Sequence, residues 1–190
     1  MNDFIANLPK AELHVHLEGT LEPELSFELA KKHGIELEYA TAEDLLRAYN
    51  FHDLPSFLRI YYKGMSVLLD EDRIDHGVNS LEDPALCATI AERGLGLTIC
   101  PVSNRFVVQN LTAVEIRRML SLGMRATVNS DDPAYFRAYV NENLQALQDD
   151  GGMTRDEIVQ LVSNSFTVAW LDETRRASYL ERVRSYVDRH

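Results

Sequence analysis

The chain has little cysteine, little positive charge and no long apolar run. Its two cysteines, Cys87 and Cys100, cannot frame a disulfide scaffold, so two buried reduced thiols are expected. Lysine and arginine total 19 against 30 acidic residues, a formal net charge of −11. That balance excludes a broad nucleic-acid or anionic-membrane surface and leaves small-molecule chemistry open. No apolar stretch approaches the ~20 residues of a membrane-crossing helix, so no membrane partner is expected. The opening MNDFIANLPK carries an early acid and no apolar h-region, which predicts no signal peptide. A cytoplasmic location follows as the expectation, with the nucleus also open. Neither a repeat of fixed period nor a low-complexity tract is present. What is there is 45% hydrophobic over 190 residues, enough to fill the core of one domain or a small pair.

The rhythm of the chain changes partway along. AELHVHL (11–17) alternates, with Leu13, Val15 and Leu17 on one side and Glu12, His14 and His16 on the other, the period of a strand. Thr20 then caps a helix with Pro23 in its first turn and Gly34 at its end. Thr41 caps a short helix holding Leu45, Leu46 and Tyr49. A third helix follows Pro55. After residue 72 short strands and helices alternate: RIDHGV (73–78), a helix over 84–93 stopped by Gly94, LGLTIC (95–100) halted by Pro101, a helix through Leu120 with Thr112 and Glu115 as a capping box, and RATVNS (125–130). Helices are expected over roughly 138–148, 154–169 (with Thr154 and Glu157 as a second capping box) and 172–188. This alternation implies a parallel sheet covered by helices, and such sheets gather their sites at the carboxyl ends of the strands.

Chemistry-bearing residues stand at those ends. His14 and His16, two apart on a strand, present both imidazoles to one side and suit zinc; the alternative is two unrelated histidines, one of them packing. His76 at the end of its strand is a structural histidine or, beside a metal, a group that orients or deprotonates a bound water. Asp131 and Asp132 before Pro133 read as a solvated turn or a helix cap; at the mouth of a barrel one could ligate a metal and the other accept a hydrogen bond from substrate. Ser103-Asn104 after Cys100-Pro101 is a plain turn or a weaker candidate.

LPKAELHVHLEGTLEPEL, FHDLPSFLRIYYKGMSVL, RIDHGVNSLEDPALCATIAERGLGLTICPVSN and VNSDDPAYF, in that order, resemble the adenosine/adenine deaminase family of zinc hydrolases over nearly the whole chain. The resemblance implies an α/β fold, a TIM (β/α) barrel of the metal-dependent hydrolase type, with one catalytic Zn2+. His14, His16 and Asp131 match zinc ligands, His76 the histidine that helps activate the water, and Asp132 the carboxylate that holds a purine ring nitrogen. The zinc-activated water attacks the ring carbon bearing the amine. Glu18 stands where adenosine deaminases commonly have a ribose-binding aspartate, and Asp75 where they tend to have glycine. Both resemble the adenine deaminase branch. The longer Glu18 fills space a ribose needs, so the expected substrate is adenine, giving hypoxanthine and ammonia in purine salvage. Adenosine is the alternative.

One part of the family pattern has no counterpart. SVLLDED (66–72) joins the third helix directly to the RIDHG strand. There the family carries further barrel strands and a His-Ala-Gly-Glu motif, which supplies a third zinc histidine and the glutamate that protonates the purine. His33, His52 and His190 do not resemble that motif. A barrel of this type needs about 250 residues or more. The resemblance therefore implies a single truncated domain, residues 1–190, keeping strands one, six, seven and eight. Residues 1–69 form its N-terminal part and 70–190 its C-terminal βα units, with the junction near 66–72. Open edges predict self-association. A non-catalytic remnant that binds zinc, purine or a partner subunit is the competing reading.

Overall fold

A computed structural model describes residues 2–16, 23, 24, 27, 39–49 and 74–190. The helix expected between Thr20 and Gly34 lies mostly outside the described residues. The one following Pro55, the 66–72 junction, Glu18, His33 and His52 lie outside them altogether.

Three short parallel strands form the sheet: β1 (Ile74–Asp75), β2 (Gly96–Ile99) and β3 (Arg125–Val128), in that spatial order. Register sorts the two faces. Ile74, Leu97 and Ala126 align across the sheet, as do Asp75, Thr98 and Thr127. Successive side chains on a strand point to opposite faces. One face therefore carries Leu97, Ile99, Ala126 and Val128, which join the buried apolar core. The other carries Asp75, Thr98 and Thr127, and leads to the polar cluster at the strand ends.

Helices cover the apolar face. Asp83 caps α3 (Pro84–Arg93) by accepting from the Ala85 and Leu86 amides at 2.9 and 3.1 Å. Gly94 ends it at φ 65°, and a Cβ there would come within 2.7 Å of the Arg125 guanidinium. α4 (Pro101–Val108) and α5 (Ala113–Ser121) follow β2. β3 leads into a short turn of helix, α6 (Pro133–Phe136), and then α7 (Val140–Asp149). α8 (Arg155–Val168) packs along β3, and α9 (Glu173–Arg189) packs on α8. Ile116, Met119, Leu144, Leu147, Ile158 and Leu161 are fully buried beneath the sheet. Each such side chain contributes about 1.5–3 kcal/mol of burial free energy.

Near the N-terminus, α1 (Asp3–Asn7), which periodicity does not announce, is capped by the Asn2 side chain. Its Ile5 joins the main core. α2 (Ala42–Ala48) is capped by Thr41 as expected, and places Leu45 and Tyr49 against Val102, Tyr135 and Phe136.

Three local expectations are corrected. The 11–17 strand reduces, among described residues, to a single parallel bridge between Val15 and Asp131. Ser103-Asn104 is not a turn, because Pro101 at the first helical position starts α4 and both residues lie within it. Thr112 forms no capping box with Glu115: it sits at φ 61°, and its hydroxyl donates to the Leu111 carbonyl at 2.6 Å. Asn110 serves instead, accepting from the Thr112 amide and donating to Glu115, both at 2.9 Å.

Candidate metal centre

The site forms where the 11–16 segment meets the end of β3. Asn129 makes the join. Its side chain is fully buried, and Oδ1 accepts from the Leu13 and His14 amides at 2.7 and 3.1 Å. Its Nδ2 donates to Thr127 Oγ1 at 3.0 Å and the Ile99 carbonyl at 3.4 Å. One residue further, the Glu12 carboxylate accepts from the Ser130 amide. The His16 amide then donates to the Asp131 carbonyl at 2.7 Å. These bonds bring the His-x-His pair to the carboxyl end of the sheet.

Two site residues adopt left-handed backbone: His76 at φ 58° and Asp131 at φ 65°. Such conformations cost about 1–3 kcal/mol and recur where a side chain must be aimed against the local chain direction. Here they turn both side chains toward the histidine pair. Asp131 Oδ1 lies 3.0 Å from His14 Nε2 and 3.5 Å from His16 Nε2, and Asp131 Oδ2 lies 3.8 Å from His76 Nε2. Ser103 donates to Asp131 Oδ2 at 2.7 Å, so this helix residue belongs to the site. His16 Nδ1 faces Asp132 Oδ1 at 3.3 Å, and Asp132 is buried. His14 Nδ1 faces Asp75 Oδ1 at 2.9 Å.

The charges are mutually adjusted. Burial alone disfavours the His14 imidazolium, but the hydrogen bonds and charges of Asp131 and Asp75 outweigh it and raise its pKa. Burial likewise opposes ionisation of Asp131, yet bonds from His14 and Ser103 and the charges of His16 and His76 lower its pKa. Cys100 is buried beside them. Burial first, then the carboxylates of Asp131, Glu12, Asp75 and Asp132, push its thiol well above the usual range.

The donor set suits a metal ion. Ligand atoms of His14, His76, Cys100 and Asp131 all lie within 4.8 Å of one another, and so do those of His16, Asp131 and Asp132. Tetrahedral zinc, with bonds of about 2.0–2.2 Å to nitrogen and oxygen, separates its ligand atoms by roughly 3.3 Å. The separations of 3.0 and 3.5 Å from Asp131 Oδ1 to the two histidines bracket that value. A cavity of about 850 Å³ opens beside the cluster, lined in part by Asp75, His76, Asn79, Glu82 and Asn104.

The structure thus brings His14, His16, His76, Asp75, Asp131 and Asp132 together. Glu18 lies outside the described residues. Sequence reasoning missed Asn129, Thr98 and Glu12 as supports of the site, and treated Cys100 only as a buried thiol. The VNSDD and LTICPVSN strings contain three of these four, but nothing in the spacing separates a support from a turn.

A profile of the adenosine deaminase family matches residues 9–72 and 67–186. The adenine deaminase of Caulobacter vibrioides is 29% identical over an alignment of 332 residues that covers 99% of this chain and 96% of the relative. That alignment exceeds the 190 residues of the chain, so the relative carries positions with no counterpart here. The crystal structure of adenine deaminase from Arthrobacter aurescens superposes with a TM-score of 0.84 at 23% identity, covering 95% of this chain and 99% of that one. A zinc-bound amidohydrolase from Burkhoderia ambifaria superposes with a TM-score of 0.54 at 22% identity, covering 90% of this chain and 56% of that one.

Proposed function

Because the chain belongs to the adenosine deaminase family, we propose that its site is that of a zinc-dependent aminohydrolase converting adenine to hypoxanthine and ammonia. The observation that carries this is the convergence of His14, His16 and Asp131 within 3.0–3.5 Å at one strand end. The zinc-bound amidohydrolase of similar fold and the adenine deaminase of Caulobacter support it.

Zinc, when bound, supplies a Lewis acid that lowers the pKa of a water toward about 7. The chain's residues do the rest. His76 Nε2 stands at the edge of the cluster, and its buried Nδ1 has no hydrogen-bond partner among the described residues. It is the group placed to take and hold the proton of the attacking water. Asp132 accepts from a purine ring N–H, exchanging its contact with His16 for the substrate. Ser103 keeps Asp131 ionised and aimed. Glu18 and Asp75 favour the free base over the nucleoside.

The same reading assigns the chain a deletion. The two profile matches meet and overlap at residues 67–72, where the 66–72 junction is expected. The strands β1, β2, β3 and the Val15 segment correspond on this reading to strands six, seven, eight and one of the full barrel. The order observed here, with Val15 bridged to the end of β3, supports that correspondence. The glutamate that protonates the purine falls in the absent segment, and loss of a general acid costs about 10²–10⁴ in rate. Glu12 is a poor substitute because the Ser130 amide already engages its carboxylate.

The test is deamination of adenine and adenosine, side by side, by the zinc-loaded chain and by the same chain with the barrel segment of a full-length relative restored. The expected result is adenine preferred over adenosine by the restored protein, with the short chain slower by about 10²–10⁴. Preference for adenosine would overturn the substrate. Equal rates from the two proteins would overturn the role given to the missing acid. Zinc uptake without measurable turnover by the short chain would favour the non-catalytic remnant.

A further inference from the structure

We infer that Asp75, braced by Thr98, is the positioning residue that fixes the orientation and tautomer of His14 for metal binding. Its Oδ1 is the meeting point of two bonds: His14 Nδ1 lies at 2.9 Å and Thr98 Oγ1 donates from 3.1 Å. The brace is built into the sheet. Asp75 and Thr98 are register partners on β1 and β2, so the backbone ladder sets the spacing between them.

His14 has two ring nitrogens and only one faces Asp131, namely Nε2 at 3.0 Å. A ring nitrogen binds a metal only through a lone pair, so the proton must reside on the other. With a carboxylate at Nδ1 the proton is kept there, and Nε2 is left for the ion. A carboxylate in this position also raises the basicity of the ligating nitrogen. The His14 side chain is only 9% exposed. The rings of His16 and His76 stand 5.1 and 5.3 Å from it, centroid to centroid. It therefore has little room to reorient, and its two hydrogen-bond partners define its state.

The inference rests on the zinc reading but asks more of Asp75 than contact with substrate. A residue that only touched the purine would leave zinc affinity untouched, whereas a positioning residue sets it.

Zinc affinity of the purified chain is measured by competition with a chromophoric chelator for the parent, D75A, D75N and T98V. Thermal melts of the metal-free proteins establish that each is folded. The expected loss for D75A is about 10–100-fold in affinity. D75N recovers part of it, because a carboxamide oxygen can still accept from Nδ1–H. T98V falls between the parent and D75A. An unchanged affinity in D75A overturns the inference. Should D75A fail to fold, T98V carries the test, and parent-like affinity there overturns it. If the parent takes up no zinc, the zinc reading falls instead. The inference is then decided on the metal-free chain by nitrogen NMR of the His14 ring: shifts altered in D75A sustain it, and identical shifts overturn it.

Discussion

Asn129 carries no charge, yet the arrangement of the candidate metal centre rests on its hydrogen bonds. Its side-chain oxygen accepts from both the Leu13 and the His14 amides and so ties the 11–16 segment to the end of β3. Removing it takes the Asn129 acceptor from both amides, and a buried donor that loses its acceptor costs about 1–3 kcal/mol. N129A is therefore expected to lower the melting temperature and also to weaken zinc binding at least tenfold, because His14 loses its anchor; unchanged zinc affinity would contradict this. His14, His16, His76 and Asp131 were legible from the sequence because histidines and paired carboxylates at strand ends are uncommon and carry chemistry. Asn129 was not. Asparagine before Ser130-Asp131 reads as turn chemistry, and its role exists only once the 11–16 segment lies beside β3. Thr98 was hidden for the same reason, since its partner is set by strand register and not by sequence spacing.

At the scale of the element, two identical sequence signatures behaved differently. Thr154 accepts from the Glu157 amide at 3.2 Å, and Glu157 accepts from the Thr154 amide at 2.7 Å, so the capping box of α8 is complete. Thr112 and Glu115 have the same spacing, but Thr112 has a left-handed backbone and its hydroxyl donates to the Leu111 carbonyl, so α5 has no side-chain cap, and Asn110 instead accepts from the Thr112 amide. Local pattern decides a cap only where the incoming chain is extended, as Thr154 is at φ −72°, ψ 162°. Burial opposes ionisation of Glu157, but the bonds to Thr154 and the Arg117 guanidinium, which donates at 2.9 Å, hold its pKa below the ordinary 4.5. A depressed carboxyl pKa contributes stability above the ordinary value and loses it as pH falls through the folded value. E157Q keeps the box geometry but removes the charge. It is expected to destabilise the chain by about 0.3–1 kcal/mol at neutral pH. At pH well below 4.5 the variant and the parent should melt together. A difference that persists in acid, measured by thermal melts across pH, would contradict the ion-pair account.

At the scale of the molecule, a parallel α/β sheet and its functional end were legible from alternating strands and helices. The handover from β3 to the Val15 segment was not, since one bridged residue has no periodicity to read. Among the described residues β1 has a strand partner, β2, on one side only. No helix among them is long and apolar enough to cross a membrane. An exposed edge invites pairing with another chain. Light scattering is expected to report a dimer or larger assembly, and a monodisperse monomer would contradict that expectation.

On the proposed function, His14, His16 and Asp131 together hold one zinc. It is tested most directly by metal analysis of the chain purified after zinc loading and dialysis, in parallel with D131N. About one zinc per chain is expected in the parent and a large loss in D131N, since Asp131 Oδ1 is the oxygen shared by both histidines. A parent that retains no zinc, or a D131N that retains as much as the parent, would contradict it.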